Sequence, residues 1–253
     1  MRKAISYRNN IPFFCEKSET EFKKDKYEKY DPSVIRQAIL HLADDLWGTY
    51  PFQPILDFIN DQLPKHNNLN ILELGSGVGR MIADISKVHA SNTCWGIDYS
   101  YQLVKKAKET WIDGKDMDIN FMRYGFDLEH IIHSHKLENL HFGLGKAEQL
   151  PFADQSQDFV FSSFLLDRLS NPISGLKEMK RVLKPEGKIV IVSPLNFEHP
   201  SHWEKFYPPT KLYKILPELH FTILDWKEDM IVEEPLDKRR NCVKWNCVRM
   251  VIQ

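Results

Sequence analysis

The chain has 253 residues, 42% of them hydrophobic, with 34 Lys and Arg against 35 Asp and Glu and a formal charge of −1. That length and apolar content suit one α/β domain with additions, and the balanced charge excludes a general electrostatic attraction to nucleic acid. No apolar run reaches bilayer-spanning length, and four cysteines with neither a C-x-x-C spacing nor a secretory signal ahead of them fit reduced thiols in a cytosolic protein.

The first 30 residues, rich in Lys and Glu and carrying Asn9-Asn10 and Pro12, read as an irregular arm anchored by Phe13, Phe14 and Tyr27. Asp31-Pro32-Ser33 starts a helix whose apolar positions Ile35, Ile39, Leu42 and Leu46 recur at helical spacing as far as Gly48. A second helix runs through Ile55, Leu56, Phe58 and Ile59 and stops at Pro64 and the Asn67-Asn68 turn.

Residues 69–80, Leu-Asn-Ile-Leu-Glu-Leu-Gly-Ser-Gly-Val-Gly-Arg, carry the strongest signal. An apolar strand entering a glycine turn and then a helix, Val78 to about Lys87, is the opening unit of a nucleotide-binding fold. In a dinucleotide site the third glycine of G-x-G-x-x-G packs helix on strand, but counting from Gly75 that position is Arg80. Glu73, two residues before the first glycine, would repel a pyrophosphate and suits a ligand that carries an ammonium and a sulfonium, such as S-adenosylmethionine. The second strand, Trp95-Gly-Ile-Asp98, ends at a carboxylate placed to accept ribose hydroxyls, with Tyr99 beside the adenine.

A helix from Tyr101 to about Trp111 follows, then an insertion from Ile112 to Asn139 with strand-like Ile119-Asn-Phe-Met122 and helix-like Leu128 to Ser134. Its His130, His133 and His135 lack the Cys pair or H-E-x-x-H context of a zinc site, so no metal is expected. Leu140–Leu144 is the third strand and Gln157–Ser163 the fourth, followed by Phe164, Leu165, Leu166, Asp167 and Arg168. Lys188–Val192 is the fifth strand, and the aromatics and histidines after it, His199 to Tyr207, suit either a substrate wall or packing around Pro208-Pro209. Phe221–Val232 and Cys242–Ile252 read as two added strands, with Lys238-Arg239-Arg240 and Lys244 in a solvated turn region between them.

The blocks Glu73 to Gly79, Gly96-Ile-Asp98, Ala147-Glu-Gln-Leu-Pro-Phe152 and Val182-Leu-Lys-Pro-Glu-Gly-Lys188, in this order, resemble class I S-adenosylmethionine-dependent methyltransferases over about residues 67–195. The resemblance implies an α/β fold: a Rossmann-like, doubly wound, seven-stranded sheet with an antiparallel edge strand and an N-terminal helical cap. Residues 1–66 would be arm and cap, and 67–253 the methyltransferase domain, with the insertion at about 112–139 and the strand pair at about 219–252. Trp47 and Tyr50 would then line the pocket or simply pack cap on core. The implied cofactor is S-adenosyl-L-methionine, bound by Glu73, Gly75, Ser76, Gly77, Gly79, Arg80, Asp98, Tyr99, Lys146, Ala147, Glu148, Ser163 and Phe164.

Lys146 stands where the family has an aspartate that accepts the adenine amine, and an ammonium cannot accept. Glu148 and Asp127 are the candidates to replace it. Asp167 and Arg168 are the candidate catalytic pair, the first orienting an acceptor amine or imidazole and the second pairing a substrate carboxylate, unless they only cap and bridge a local turn. The segment Leu165-Leu-Asp-Arg-Leu-Ser-Asn-Pro172, with Val192-Ser-Pro194 and the tail through Lys244-Trp245, resembles 4-mercaptohistidine N-methyltransferases of ovothiol-type pathways, with Ser170 where that group has proline. That implies a small, nitrogenous, amino-acid- or imidazole-like acceptor. Methylation of RNA or protein, and donor binding without turnover, are the other readings.

Overall fold

The computed structural model describes every residue except 26, 29–31, 45 and 127–128, and the side chains of 24, 129 and 130 are also outside the description. The arm is more regular than its composition suggests. Asn9 and Asn10 take φ of 50° and 58°, a conformation asparagine tolerates and a two-residue hairpin turn requires, and they join β1 (Ser6–Arg8) to β2 (Ile11–Phe13). A short helix, α1 (Glu19–Lys24), follows; Ser18 accepts from the Glu21 N–H and Glu21 answers to the Ser18 N–H, a closed capping box.

Two helices precede the central sheet. The first, α2 (Pro32–Leu42), ends a turn before the expected stop, and Gly48, with φ of 86°, lies in the turns that lead to α3 (Gln53–Gln62). Both bury one face: Val34, Ala38 and Ile39 on α2, Ile55, Leu56 and Ile59 on α3. The alternation then runs β3 (Asn70–Leu74), α4 (Arg80–Val88), β4 (Thr93–Asp98), α5 (Tyr101–Trp111), β5 (Met117–Asn120), β6 (Glu129–Ile132) and β7 (Leu140–Leu144). It continues with β8 (Gln157–Ser163), α6 (Pro172–Val182), β9 (Leu183–Ser193), α7 (Pro200–Phe206), α8 (Pro209–Glu218), β10 (Ile223–Pro235) and β11 (Cys242–Ile252).

The main sheet has nine strands, ordered β1-β2-β7-β4-β3-β8-β9-β11-β10. The seven expected strands are all there, and two more come from the arm, because Phe13 pairs with Leu144 and adds the hairpin to the edge at β7. From β2 to β9 neighbours are parallel; β11 runs antiparallel to β9 and β10, so the reversed strand sits one place inside the edge. Apolar side chains of α2 to α5 fill one face of the sheet and those of α6 and α8 the other, as a doubly wound sheet demands.

The insertion departs from expectation. Its second half is a strand, β6, paired antiparallel with β5, and Phe121–Tyr124 forms a 3-10 turn. Exposed Ile131 beside buried Ile132 shows why: the two-residue alternation suits a hairpin with one covered face. Its Gly125 carbonyl accepts from the Lys238 N–H, and Trp47 Nε1 donates to the Asp237 carbonyl while Arg240 lies 5.7 Å over the Trp47 ring. The basic turn between β10 and β11 docks cap and insertion, largely through its backbone, while the side chains of Lys238, Arg239 and Arg240 stay exposed as expected of a solvated turn. Asp31 and Asp127, and Leu128 at the start of the expected helix, lie outside the described residues. Among those described, no helix is long and apolar enough to cross a membrane.

Candidate cofactor and acceptor site

The strand order reverses at β3, with β4 on one side and β8 on the other, so the C-terminal ends of these strands open a crevice at the sheet's switch point. The glycine turn fills its floor. Gly75 and Ser76 donate to the Ile97 carbonyl at 2.8 and 3.2 Å, and the Gly77 N–H donates to Asp98 Oδ2 at 2.8 Å. A Cβ on Gly79 would lie 2.4 Å from Phe142, and one on Gly75 3.0 Å from Leu165, so these two glycines serve close packing. Gly77, at φ of 54°, faces open space: among the described residues, none beyond its chain neighbours has an atom within 4 Å of where its Cβ would stand. It is the place where a ligand can approach the backbone.

Two carboxylates flank the turn. Asp98 also accepts from the Ser100 N–H at 2.8 Å, and burial raises its pKa despite the two amide donors. Glu73 is 3% exposed and, among the described residues, accepts only a 3.2 Å bond from Ile82, so desolvation pushes its carboxyl well above the usual range. A cation arriving beside it would favour the ionised form and pull that value back down. Arg80 is otherwise engaged: its guanidinium pairs with Asp84 and, at 2.6 Å, with Asp44, donates to the His41 carbonyl at 3.2 Å and lies 4.6 Å over Tyr50. Its side chain docks the cap.

At the far end, beyond Asp98, the arm folds over Tyr99. The Lys17 ammonium is 4.1 Å from the centroid of the Tyr99 ring, 3.1 Å from the Tyr99 carbonyl, and paired with Asp25 and Glu28 at 2.7 and 2.6 Å. Lys146 lies 5.1 Å from the same centroid and bonds Glu21 of α1 at 2.6 Å. Ala147 is buried next to it. Glu148, expected as a substitute acceptor, takes bonds on its Oε1 from Ser170 Oγ at 3.0 Å and the Asn171 N–H at 3.4 Å, before α6. Glu21 carried no recognisable signal in the sequence beyond its capping-box spacing; only the folding of the arm brings it here.

On the cap side, Ser163 Oγ points to Met81 Sδ at 3.6 Å, and Phe164, held at φ of 54°, meets Phe52 edge-on at 6.0 Å and Trp245 at 5.9 Å. Phe52 stacks on His41 at 4.5 Å, whose Nδ1 is 2.9 Å from the Tyr50 hydroxyl. Burial, then the Arg80 charge, lowers the His41 pKa to about 4, so this imidazole is neutral at physiological pH. Asp167 is fully buried: Ser193 Oγ donates to its Oδ1 at 2.7 Å, while its Oδ2 has no hydrogen-bond donor among the described residues and stands 3.6 Å from Arg168 Nε. Arg168 turns toward Glu198 at 3.1 Å. The pair is thus brought together as a salt-linked turn that also fixes Ser193. The aromatics after β9 pack on one another, Phe197 stacking on Phe206 at 5.4 Å and meeting Trp203 at 5.8 Å. Of the insertion histidines, His135 stacks on Trp111 and His133 lies 3.9 Å from Asp116; among the described residues no group of three ligands gathers for a metal.

These features fit an adenosyl sulfonium: an open glycine cradle at Gly77, an orphaned buried hydroxyl on Ser76, the Asp98 carboxylate at the end of β4 and the buried acid Glu73 at the end of β3. The family model described as methyltransferase domain matches residues 65–235. The chain belongs to this methyltransferase family. Its fold is that of the class I S-adenosylmethionine-dependent methyltransferases, and S-adenosylmethionine is the cofactor that Gly75–Gly79 and Asp98 fit. A ubiquinone/menaquinone biosynthesis C-methyltransferase of Rickettsia felis is 28% identical over 219 residues, 82% of this methyltransferase and 78% of that one. Alignments with four other curated relatives, among them an uncharacterised methyltransferase of Schizosaccharomyces pombe, span 44 to 65% of those proteins' lengths. In fold, the chain is similar to a SAM-dependent methyltransferase from Aquifex aeolicus (TM-score 0.51, 22% identity, 88% of this chain and 98% of that one). It is likewise similar to phosphoethanolamine N-methyltransferase 2 of Haemonchus contortus in complex with S-adenosylmethionine (TM-score 0.58, 16% identity, 86% and 47%).

Proposed function

We propose that the chain transfers a methyl group from S-adenosylmethionine to a small nitrogenous acceptor, amino-acid- or imidazole-like, held between the cap and the ends of β8 and β11. In this reading residues 1–66 are arm and cap and 67–253 the catalytic domain. The observation that carries it is the aromatic roof, in which Phe52 of the cap joins His41 to Phe164, and Phe164 joins Trp245, through ring contacts of 4.5 to 6.0 Å. A roof of this kind admits a small molecule and excludes water from a sulfonium, whereas a folded RNA or protein needs an open, charged mouth. The likeness of residues 165–172 to mercaptohistidine N-methyltransferases supports the nitrogenous acceptor. The Haemonchus and Rickettsia proteins are named for phosphoethanolamine and for quinone biosynthesis, which supports a small one.

The donor brings an already activated carbon, so the protein's share is alignment, desolvation and custody of a proton. Glu73 faces the charged end of the donor, the backbone from Gly75 to Gly79 cradles it, and Asp98 accepts from its ribose. Tyr99, Lys146 and Ala147 border the adenine, while Ser163 and Phe164 border the reacting end. Asp167, its plane set by Ser193, offers the acceptor's N–H the buried Oδ2 that lies 3.6 Å from Arg168 Nε, and Arg168 exchanges Glu198 for an acceptor carboxylate. Calorimetry with S-adenosylmethionine and S-adenosylhomocysteine, then turnover on an amine and imidazole panel, tests this. Asp167→Asn and Arg168→Met are expected to lower kcat/KM about tenfold to hundredfold with donor binding retained. No donor binding at millimolar concentration removes the assignment, binding without turnover marks a silent donor-binding protein, and two variants with unchanged kcat/KM place the acceptor elsewhere.

A further inference from the structure

Lys146 leaves the adenine end of the crevice with a donor where the ligand also has one. Asp98 fixes the ribose in a sheet of this topology, so the base lies beyond it, past Tyr99 and toward the end of β7, where Gly145 and Lys146 follow. An exocyclic amine there needs an acceptor, and a lysine ammonium has none to give. Glu148 is held by Ser170 and Asn171 at the start of α6. The carboxylate that does stand at this corner is Glu21, 2.6 Å from the Lys146 ammonium and carried by a helix 125 residues away in sequence.

We propose that Glu21 is the adenine-specifying residue of this site: the N-terminal arm supplies the carboxylate that accepts the adenine amine, and Lys146 holds that carboxylate in place. The inference rests on the donor reading above and sharpens how the base is chosen. Four observations bear on it besides the distance. The Glu21 backbone and side chain are locked by the capping box with Ser18, which leaves the carboxylate little rotamer freedom to lose. The arm is anchored on both sides of α1: Phe14 donates to the Leu144 carbonyl, and buried Glu28 accepts from the Tyr101 N–H and from Lys17. Glu21 is itself 40% exposed; Ser18 fills its Oε2 and Lys146 bonds its Oε1, so the adenine amine would take the remaining lone pair of Oε1 beside the ammonium. The pairing with Lys146 also holds the Glu21 pKa at about 2, which keeps it an acceptor over the whole assay range.

The test measures dissociation constants by calorimetry for S-adenosylhomocysteine and for S-inosylhomocysteine, whose 6-oxo group replaces the amine. Wild type is expected to prefer the adenosyl ligand, and Glu21→Ala to weaken that ligand about tenfold or more while leaving the inosyl ligand unchanged or tighter. Adding Lys146→Asp to Glu21→Ala is expected to restore the preference by placing the acceptor on the sheet edge. Equal loss of both ligands in Glu21→Ala reduces the residue to arm anchoring and overturns the proposal, as does an unchanged adenosyl affinity. Failure of wild type to bind either ligand at millimolar concentration removes the donor reading and this inference with it; adenosyl binding that ignores Glu21 removes the inference alone.

Discussion

Glu73 shows how a single side chain couples burial to ligand charge. Its carboxyl is pushed well above the usual range by desolvation, so between its ordinary value and its folded one the folded chain keeps a proton that the unfolded chain has lost. The sign follows from linkage: this group's contribution favours folding below its ordinary value of 4.5 and is lost as pH rises through its folded value. His41 acts oppositely between about 4 and 6.5, where the unfolded chain binds the proton and stability grows with pH. The difference between wild type and Glu73→Gln therefore isolates the acid: urea denaturation from pH 5 to 8 is expected to give a curve that falls with pH less steeply, or rises more, in the variant. Donor binding should in turn release a proton, seen as a buffer-dependent calorimetric enthalpy that Glu73→Gln abolishes.

At the scale of the element, the βα turn uses three glycines for two purposes. Gly79 is a packing glycine, its missing Cβ occupied by the Phe142 ring, whereas Gly77 opens onto the crevice. Gly79→Ala is expected to destabilise by about 2–4 kcal/mol through overlap and left-handed strain. Gly77→Ala should cost only about 1–2 kcal/mol, from its left-handed backbone, yet weaken S-adenosylhomocysteine binding by tenfold or more. Thermal melts read beside calorimetry separate the two; equal stability losses with intact binding would contradict the division. The turn and the strands around it were legible in the sequence because their signals are local: apolar runs, a glycine spacing, a carboxylate at a strand end. The arm and the β5–β6 hairpin were not, since Ser6–Arg8 and Glu129–Ile132 are strands only by virtue of partners that composition does not name.

On the scale of the whole molecule, Arg80 links cap to sheet. It joins Asp44 and the His41 carbonyl to Asp84 of α4 beneath the Tyr50 ring, at 11% exposure. Arg80→Met is expected to cost about 2 kcal/mol, because it leaves half-buried Asp84 with Lys87 as its one cation among the described residues and unties Asp44 and the His41 carbonyl, and to quicken proteolysis between α2 and α3. A variant with wild-type melting and cleavage would show that the cap docks without it. The sequence by itself determined the doubly wound sheet, the glycine turn and the carboxylates at Glu73 and Asp98, because each is written in residues adjacent along the chain. Only the tertiary structure decided that Arg80 serves the cap, that Asp167 is sealed against Ser193, and that a carboxylate from the arm stands beside Lys146. Those three depend on which distant side chains fill the same small volume, and burial and charge pairing are settled there rather than along the chain.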